Sequence, residues 1–148
     1  MKETLRPGLT ARLEYVVPAE RTVPHLLPEA AEFTALPDIL ATGYLVGIVE
    51  WACIRAVAEH LDAGEQTLGV HVDITHDAPT PPGATVTVEV ELTGVEGRQL
   101  AFAIQARDDN AVVSRGIHRR AAITTSRFQA RLKARAAGHQ LPGAMSPS

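Results

Sequence analysis

The sequence predicts an α+β domain in which one long apolar helix is wrapped by an antiparallel sheet. Three observations carry that expectation. From Thr42 to Ala58 only Glu50 and Arg55 bear charge, so a helix over this stretch is apolar around most of its circumference and has to be buried. After Gly64 the pattern changes to alternation, with Val86, Val88, Val90 and Leu92 in one segment and Leu100, Phe102, Ile104 and Ala106 in the next. Turn-forming clusters divide these segments: Pro81-Pro82-Gly83, Gly94 to Gly97, and Asp108-Asp109-Asn110. Strands joined by such short turns run antiparallel.

The elements follow in order. Residues 9–17 alternate through Leu9, Ala11, Leu13, Tyr15 and Val17 as a first strand that Pro18 ends. Residues 19–40 carry Pro24, Pro28 and Pro37, which rule out a long regular element, yet Phe33, Leu36, Ile39 and Leu40 are apolar. Such a segment reads as a lid of short turns packed over something. The helix then runs from Thr42 through Leu45, Ile48, Val49, Ala52, Cys53, Ala56, Val57 and Leu61 to a stop at Asp62-Ala63-Gly64, with Asp38 or Thr42 as its cap. Four consecutive antiparallel strands are expected at 67–77, 84–93, 99–107 and 111–125. A sheet wound around one apolar helix is the hotdog arrangement, and its open edge favours pairing into a homodimer. The domain is expected over residues 1–137, ending in a basic helix near 126–136, with a disordered tail over 138–148.

Composition narrows the function. The 148 residues suit one domain. A net charge of -3 gives no electrostatic reason to expect nucleic acid. The N-terminus has no apolar run resembling a signal peptide, and no apolar stretch is long enough to span a bilayer. One cysteine, Cys53, cannot form an internal disulfide, so a cytoplasmic location is expected.

Three residues stand out chemically. Glu50 lies inside LVGIVEWACI, where an unpaired carboxylate is costly, so it needs a partner, a raised pKa or a task. Gly47, one turn earlier, leaves room beside it for a substrate or a close backbone. The plainer reading is a carboxylate at the edge of the buried face that either reaches solvent or pairs with an arginine. His76, near a strand end and before a proline-rich turn, can project into a cleft as a general base or acid; a surface histidine is the plainer alternative. Thr42 is either a helix cap or a hydroxyl held near Glu50 and His76, and the free N–H groups of the helix start suit an oxyanion. His71 and Asp73 share a strand face that His76 does not, which argues against a metal site. Arg115, His118, Arg119 and Arg120 form a basic cluster, either a solvated face or a contact for ligand phosphates.

The runs VVPAERTVPHLLPE, LATGYLVGIVEWACIRAV, GEQTLG, THDAPTPPGATVTVEVEL, VEGRQL and GIHRRA together resemble the fluoroacetyl-coenzyme A thioesterase family, over about residues 7 to 129. The resemblance implies a hotdog fold, a homodimer with its site at the subunit interface, an acyl-coenzyme A substrate and no metal or separate cofactor, coenzyme A being part of the substrate. It implies a catalytic set of Thr42, Glu50 and His76, with Gly69 and Arg120 lining the thioester and coenzyme A site. The route is either an acyl-enzyme or an activated water. Within the lid, Phe33 keeps the family's aromatic character. Leu36 and Leu40 stand where the fluoroacetyl-selective pattern has aromatic rings, and Tyr44 where it has phenylalanine. The expected activity is therefore thioester hydrolysis, with Phe33, Leu36 and Leu40 binding the substrate and an acyl selectivity altered at Leu36 and Leu40. The alternatives are a hotdog dehydratase or hydratase, which leaves the thioester intact, and a non-catalytic module that binds acyl thioesters.

Overall fold

A computed structural model describes residues 1–138. The expected tail over 138–148 lies, apart from Gly138, outside the described residues. Five strands form one antiparallel sheet: β1 (Thr10–Val16), β2 (Glu65–Ile74), β3 (Thr85–Glu96), β4 (Gln99–Arg107) and β5 (Val112–Thr124). Three helices accompany them: α1 (Ala31–Thr34), α2 (Thr42–Val57) and α3 (Thr125–Ala137).

The spatial order is β1-β3-β4-β5-β2. The expected run of four neighbouring strands therefore holds only for β3, β4 and β5. The chain between β2 and β3 crosses the sheet, so β2 pairs with β5 at one edge and β1 pairs with β3 at the other. Pairing β1 to β3 buries the alternating apolar set of both strands, and Leu13, Val86, Val88, Val90 and Leu92 are at most a few per cent exposed.

Helix α2 lies against that face. Leu45, Ile48, Val49, Ala52, Cys53, Ala56 and Val57 are buried in a single core with Phe102, Leu100 and the β3 valines. Burial raises the Cys53 thiol to about 12, so the sulfur behaves as a small hydrophobe. The apolar stretch is not buried on all sides as expected. Trp51 and Ile54 are each 42% exposed, on the side of α2 that faces away from β3. The helix also ends earlier than its pattern suggests, at Val57, and passes through a 3-10 turn at Ala58–His60.

Residues 19–40 fold as expected for a lid. Two 3-10 turns, Ala19–Arg21 and Val23–His25, precede the single turn α1. The base of the lid is pinched shut: Thr22 and Leu40 form an isolated bridge, and the Val23 N–H donates to the Ile39 carbonyl at 2.9 Å. Its rim docks on the start of α2. A Cβ at Gly43 would come within 3.1 Å of Leu26, so glycine is what lets the lid approach this closely. The Tyr44 hydroxyl adds a bond to the His25 carbonyl at 3.3 Å.

Candidate active site

Thr42 occupies the first turn of α2, but it is not a cap. The residue preceding the helix is Ala41, and no side chain bonds the free N–H groups there. Asp38, the other capping candidate, does not fill the role either. The Thr42 hydroxyl instead meets His76 Nδ1 at 2.8 Å. His76 lies two residues past the end of β2, on the chain leading into the proline turn. Around the pair is a cleft of about 250 Å³, whose walls include Ile39 and Leu40 from the lid base and Ala78 and Pro79 from the turn. His76 Nε2 is buried and has no hydrogen-bond partner. Burial lowers the His76 pKa, with Asp77 partly opposing it, so the ring favours its neutral form. A neutral imidazole with one nitrogen committed and the other free is poised for proton transfer.

Glu50 belongs to a second cluster. Eight residues separate it from Thr42, roughly 12 Å along the axis at 1.5 Å per residue. The Arg120 Nη1 group donates to Glu50 Oε2 at 2.9 Å, and a Cβ at Gly69 would stand only 3.2 Å from the same oxygen. Gly69 thus leaves the space the carboxylate occupies. The guanidinium is 2% exposed and makes three further bonds. Its Nε donates to the Thr67 hydroxyl at 2.9 Å, Nη2 to the Thr67 carbonyl at 2.7 Å, and Nη1 to His118 Nε2 at 3.1 Å. A guanidinium can only donate, so His118 Nε2 must accept. Its Nδ1–H is therefore free to donate to the His71 carbonyl, 2.9 Å away. Burial is the chief cause lowering the His118 pKa, and this neutral tautomer is the one Arg120 needs. Thr67 and His118 together hold the guanidinium in one plane, and the guanidinium holds Glu50.

The structure therefore joins Thr42 to His76, and Glu50 to Gly69 and Arg120, as two clusters along one helix. Between them is Gly47, where a Cβ would meet nothing within 4 Å. Gly43, Gly47 and Glu50 follow one another at helical spacing on one face of α2. Leu26 of the lid fills the groove over Gly43, and over Gly47 it stays open. Gly47 is therefore an open, exposed stretch of α2 between the His76 cleft and Glu50.

The lid residues separate. Phe33 is half-buried and Leu36 is 48% exposed, whereas Leu40 is fully buried, its N–H donating to the Thr80 carbonyl at 2.8 Å. Only Leu40 of the three lines the cleft around Thr42 and His76. The basic cluster on β5 also divides, since strand alternation turns His118 and Arg120 inward and leaves Arg115 and Arg119 exposed. Neither a fully solvated face nor a row of phosphate contacts describes it. That alternation was a signal for His118 in the sequence; the role of Thr67 had none, because it depends on the β2–β5 pairing. Among the described residues no three His, Cys, Asp or Glu side chains gather as a metal site.

The model of the family described as fluoroacetyl-CoA-specific thioesterase matches residues 22–126. A fluoroacetyl-CoA thioesterase from Streptantibioticus cattleyicolor is 45% identical over 133 residues, covering 90% of this chain and 96% of that protein. A solved structure of the fluoroacetyl-CoA thioesterase FlK superposes with a TM-score of 0.86 at 45% identity, covering 88% of this chain and 96% of that one. A thioesterase superfamily member from Thermus thermophilus, 24% identical, superposes with a TM-score of 0.80 over 91% of this chain and 98% of its own, a likeness of fold.

Proposed function

The chain belongs to the fluoroacetyl-CoA-specific thioesterase family, and from that premise we propose that it hydrolyses a short-chain acyl-coenzyme A thioester to the free acid and coenzyme A. The observation that carries the reading is the Thr42–His76 contact at 2.8 Å, with a buried, unpartnered Nε2 on the far side of the ring. The acyl thioester lies over Gly47, between His76 and Glu50. With the Nδ1–H donated to Thr42, the Nε2 lone pair takes a proton from water as the water oxygen adds to the thioester carbonyl. The tetrahedral adduct collapses, the C–S bond breaks, and the leaving thiolate recovers the proton from His76. Thr42, accepting from Nδ1, keeps its own O–H to donate to the developing oxyanion, beside the free N–H groups of the α2 start. Glu50, fixed by Arg120 about 12 Å further along α2, orients the bound thioester and not the water held by His76. No resident cofactor is called for.

Thiol release from a panel of acyl-coenzyme A thioesters, by wild type and His76→Ala, tests this. Turnover should fall about 10³-fold in the variant; a variant as active as wild type would remove His76 from the mechanism. Leu40, which lines the cleft in place of a flat ring, favours a bulkier or non-fluorinated acyl group, and Leu36, on the exposed part of the lid, acts only when the lid packs over the substrate. The same panel decides that point, since a preference of orders of magnitude for fluoroacetyl-coenzyme A would reverse it.

The working form in this reading is a homodimer. Strand β2 has an unpaired edge, Leu68, Val70 and Val72 on it are exposed, and Leu68 lines one cleft with Ile54 of α2. A second copy pairing along β2 covers this apolar surface and completes the site wall near Gly69. Val70→Asp should convert the dimer to monomer in sedimentation velocity. No described helix is long and apolar enough to cross a membrane, and a cytoplasmic location fits a coenzyme A substrate.

A further inference from the structure

Where β5 passes into α3, a groove of about 450 Å³ opens at the end of the sheet, lined by Arg98, Arg127 and Arg131 together with Ala122, Thr124 and Ala130. Arg127 and Arg131 are four residues apart on α3 and so present one face. Arg98 reaches the groove from the β3–β4 turn. It is anchored there by its Nε donating to the Ala122 carbonyl at 2.8 Å and its Nη2 meeting Glu65 at 3.2 Å.

Three guanidinium groups face a concavity with no carboxylate in its lining. Glu65, the acid that Arg98 meets, is also engaged by the N-terminal amine. Neither Arg127 nor Arg131 is paired with an acidic side chain among the described residues; Arg131 stacks over Phe128 instead, 5.8 Å from its ring centroid. Helix α3 has no acidic residue while the whole chain carries a net charge of -3, so its positive charge runs against the protein's overall balance. Charges of one sign gathered in a concave, otherwise apolar lining concentrate a field on a ligand of the opposite sign.

We infer that this groove binds the phosphate-bearing nucleotide end of the coenzyme A thioester, with Arg98, Arg127 and Arg131 contacting its phosphate oxygens. The inference rests on the thioesterase reading and adds the subsite that reading leaves without residues, because Arg120 is buried and has four of its five N–H groups engaged within the protein. The placement suits it. On the β2–β5 pair, Gly69 opposite Arg120 marks the Glu50 cluster, and Glu65 opposite Thr124 marks the groove. Four residues of strand separate them, roughly 13 Å at 3.3 Å per residue, within the reach of an extended pantetheine arm. Arginine suits phosphate oxygens through its planar, two-pronged donor geometry.

Hydrolysis of one acyl group carried on coenzyme A and on pantetheine alone is compared in wild type and in Arg127→Glu/Arg131→Glu. KM for the coenzyme A thioester should rise about tenfold or more in the variant, with kcat unchanged and the pantetheine thioester unaffected. Added salt should raise the wild-type KM for the coenzyme A substrate and barely move the variant's. Calorimetric titration with adenosine 3′,5′-bisphosphate reads the groove without turnover, and binding should weaken by a similar factor. An unchanged KM together with unchanged bisphosphate binding would overturn the inference. So would a variant impaired only on an acyl carrier-protein thioester, which would make α3 a protein-docking face. Bisphosphate binding lost in the variant, with a wild type inactive on both thioesters, would retain the groove and overturn the hydrolase reading instead.

Discussion

Two histidines, His118 fully buried and His76 half-buried, end up with opposite fates. His118 is saturated: Nδ1 serves the His71 carbonyl and Nε2 accepts from Arg120. His76 is bonded on one side only, to Thr42, and its other nitrogen meets no partner in a cleft. Burial lowers the pKa of both rings, so the shift by itself does not tell a reactive histidine from a structural one. The difference is the uncommitted valence. His118 spends both nitrogens fixing the guanidinium that fixes Glu50, whereas His76 keeps one for a substrate.

The largest effect expected from breaking this asymmetry is in catalysis. His76→Ala should lose about 10³-fold in kcat with little change in unfolding midpoint, and His118→Phe should cost far less in kcat. If the two variants fell equally in kcat at equal stability, the distinction between them would fail. Next comes stability. Arg120→Met strands His118, Thr67 and Glu50 together and should lower unfolding stability by about 2–3 kcal/mol in urea titration. His118→Phe leaves one guanidinium N–H and the His71 carbonyl unpaired, for about 1–2 kcal/mol, and His118→Gln should recover part of it because an amide can donate and accept.

Smaller still is the pH response. Both histidines have folded pKa values below their ordinary 6.5. The unfolded chain therefore binds more protons around and just below that value, and stability is complete above it and declines as pH falls through it. In His118→Gln one contributor is gone, so the slope of stability against pH just below 6.5 should flatten; an unchanged slope would mean that His118 does not titrate with folding. Finally, Thr42→Val should change the unfolding free energy by less than about 0.5 kcal/mol, since no cap is lost, while thiol release drops. A clear loss of helix stability would restore the capping role.

Much of the site was legible as residue types and little of it as geometry. Glu50 declared itself as one acid in an apolar helix, and Gly47 beside it as open space, because helix neighbours are set by spacing alone. That Glu50 pairs with an arginine was also open to the sequence, but not which one. Arg120 is 70 residues away, and it approaches Glu50 only because β2 crosses to pair with β5 instead of β3. The same crossing places Thr67 under the guanidinium. Thr42 was misjudged if read as a cap, since local pattern favours the short-range bond and His76 lies 34 residues on.

By itself the sequence determined the element types, the apolar face of α2, the proline-broken lid and the turns that make β3, β4 and β5 a meander. These are properties of neighbours along the chain, where periodicity and backbone preference act directly. The tertiary structure decided the strand order, the partition of His118 and Arg120 inward from Arg115 and Arg119 outward, and the separation of the site into two clusters along α2. Those depend on which distant segments meet. Burial then fixes the outcome: a polar group brought out of water either finds its hydrogen bonds, as His118 and Arg120 do, or is left, like His76 Nε2, with a valence for a substrate.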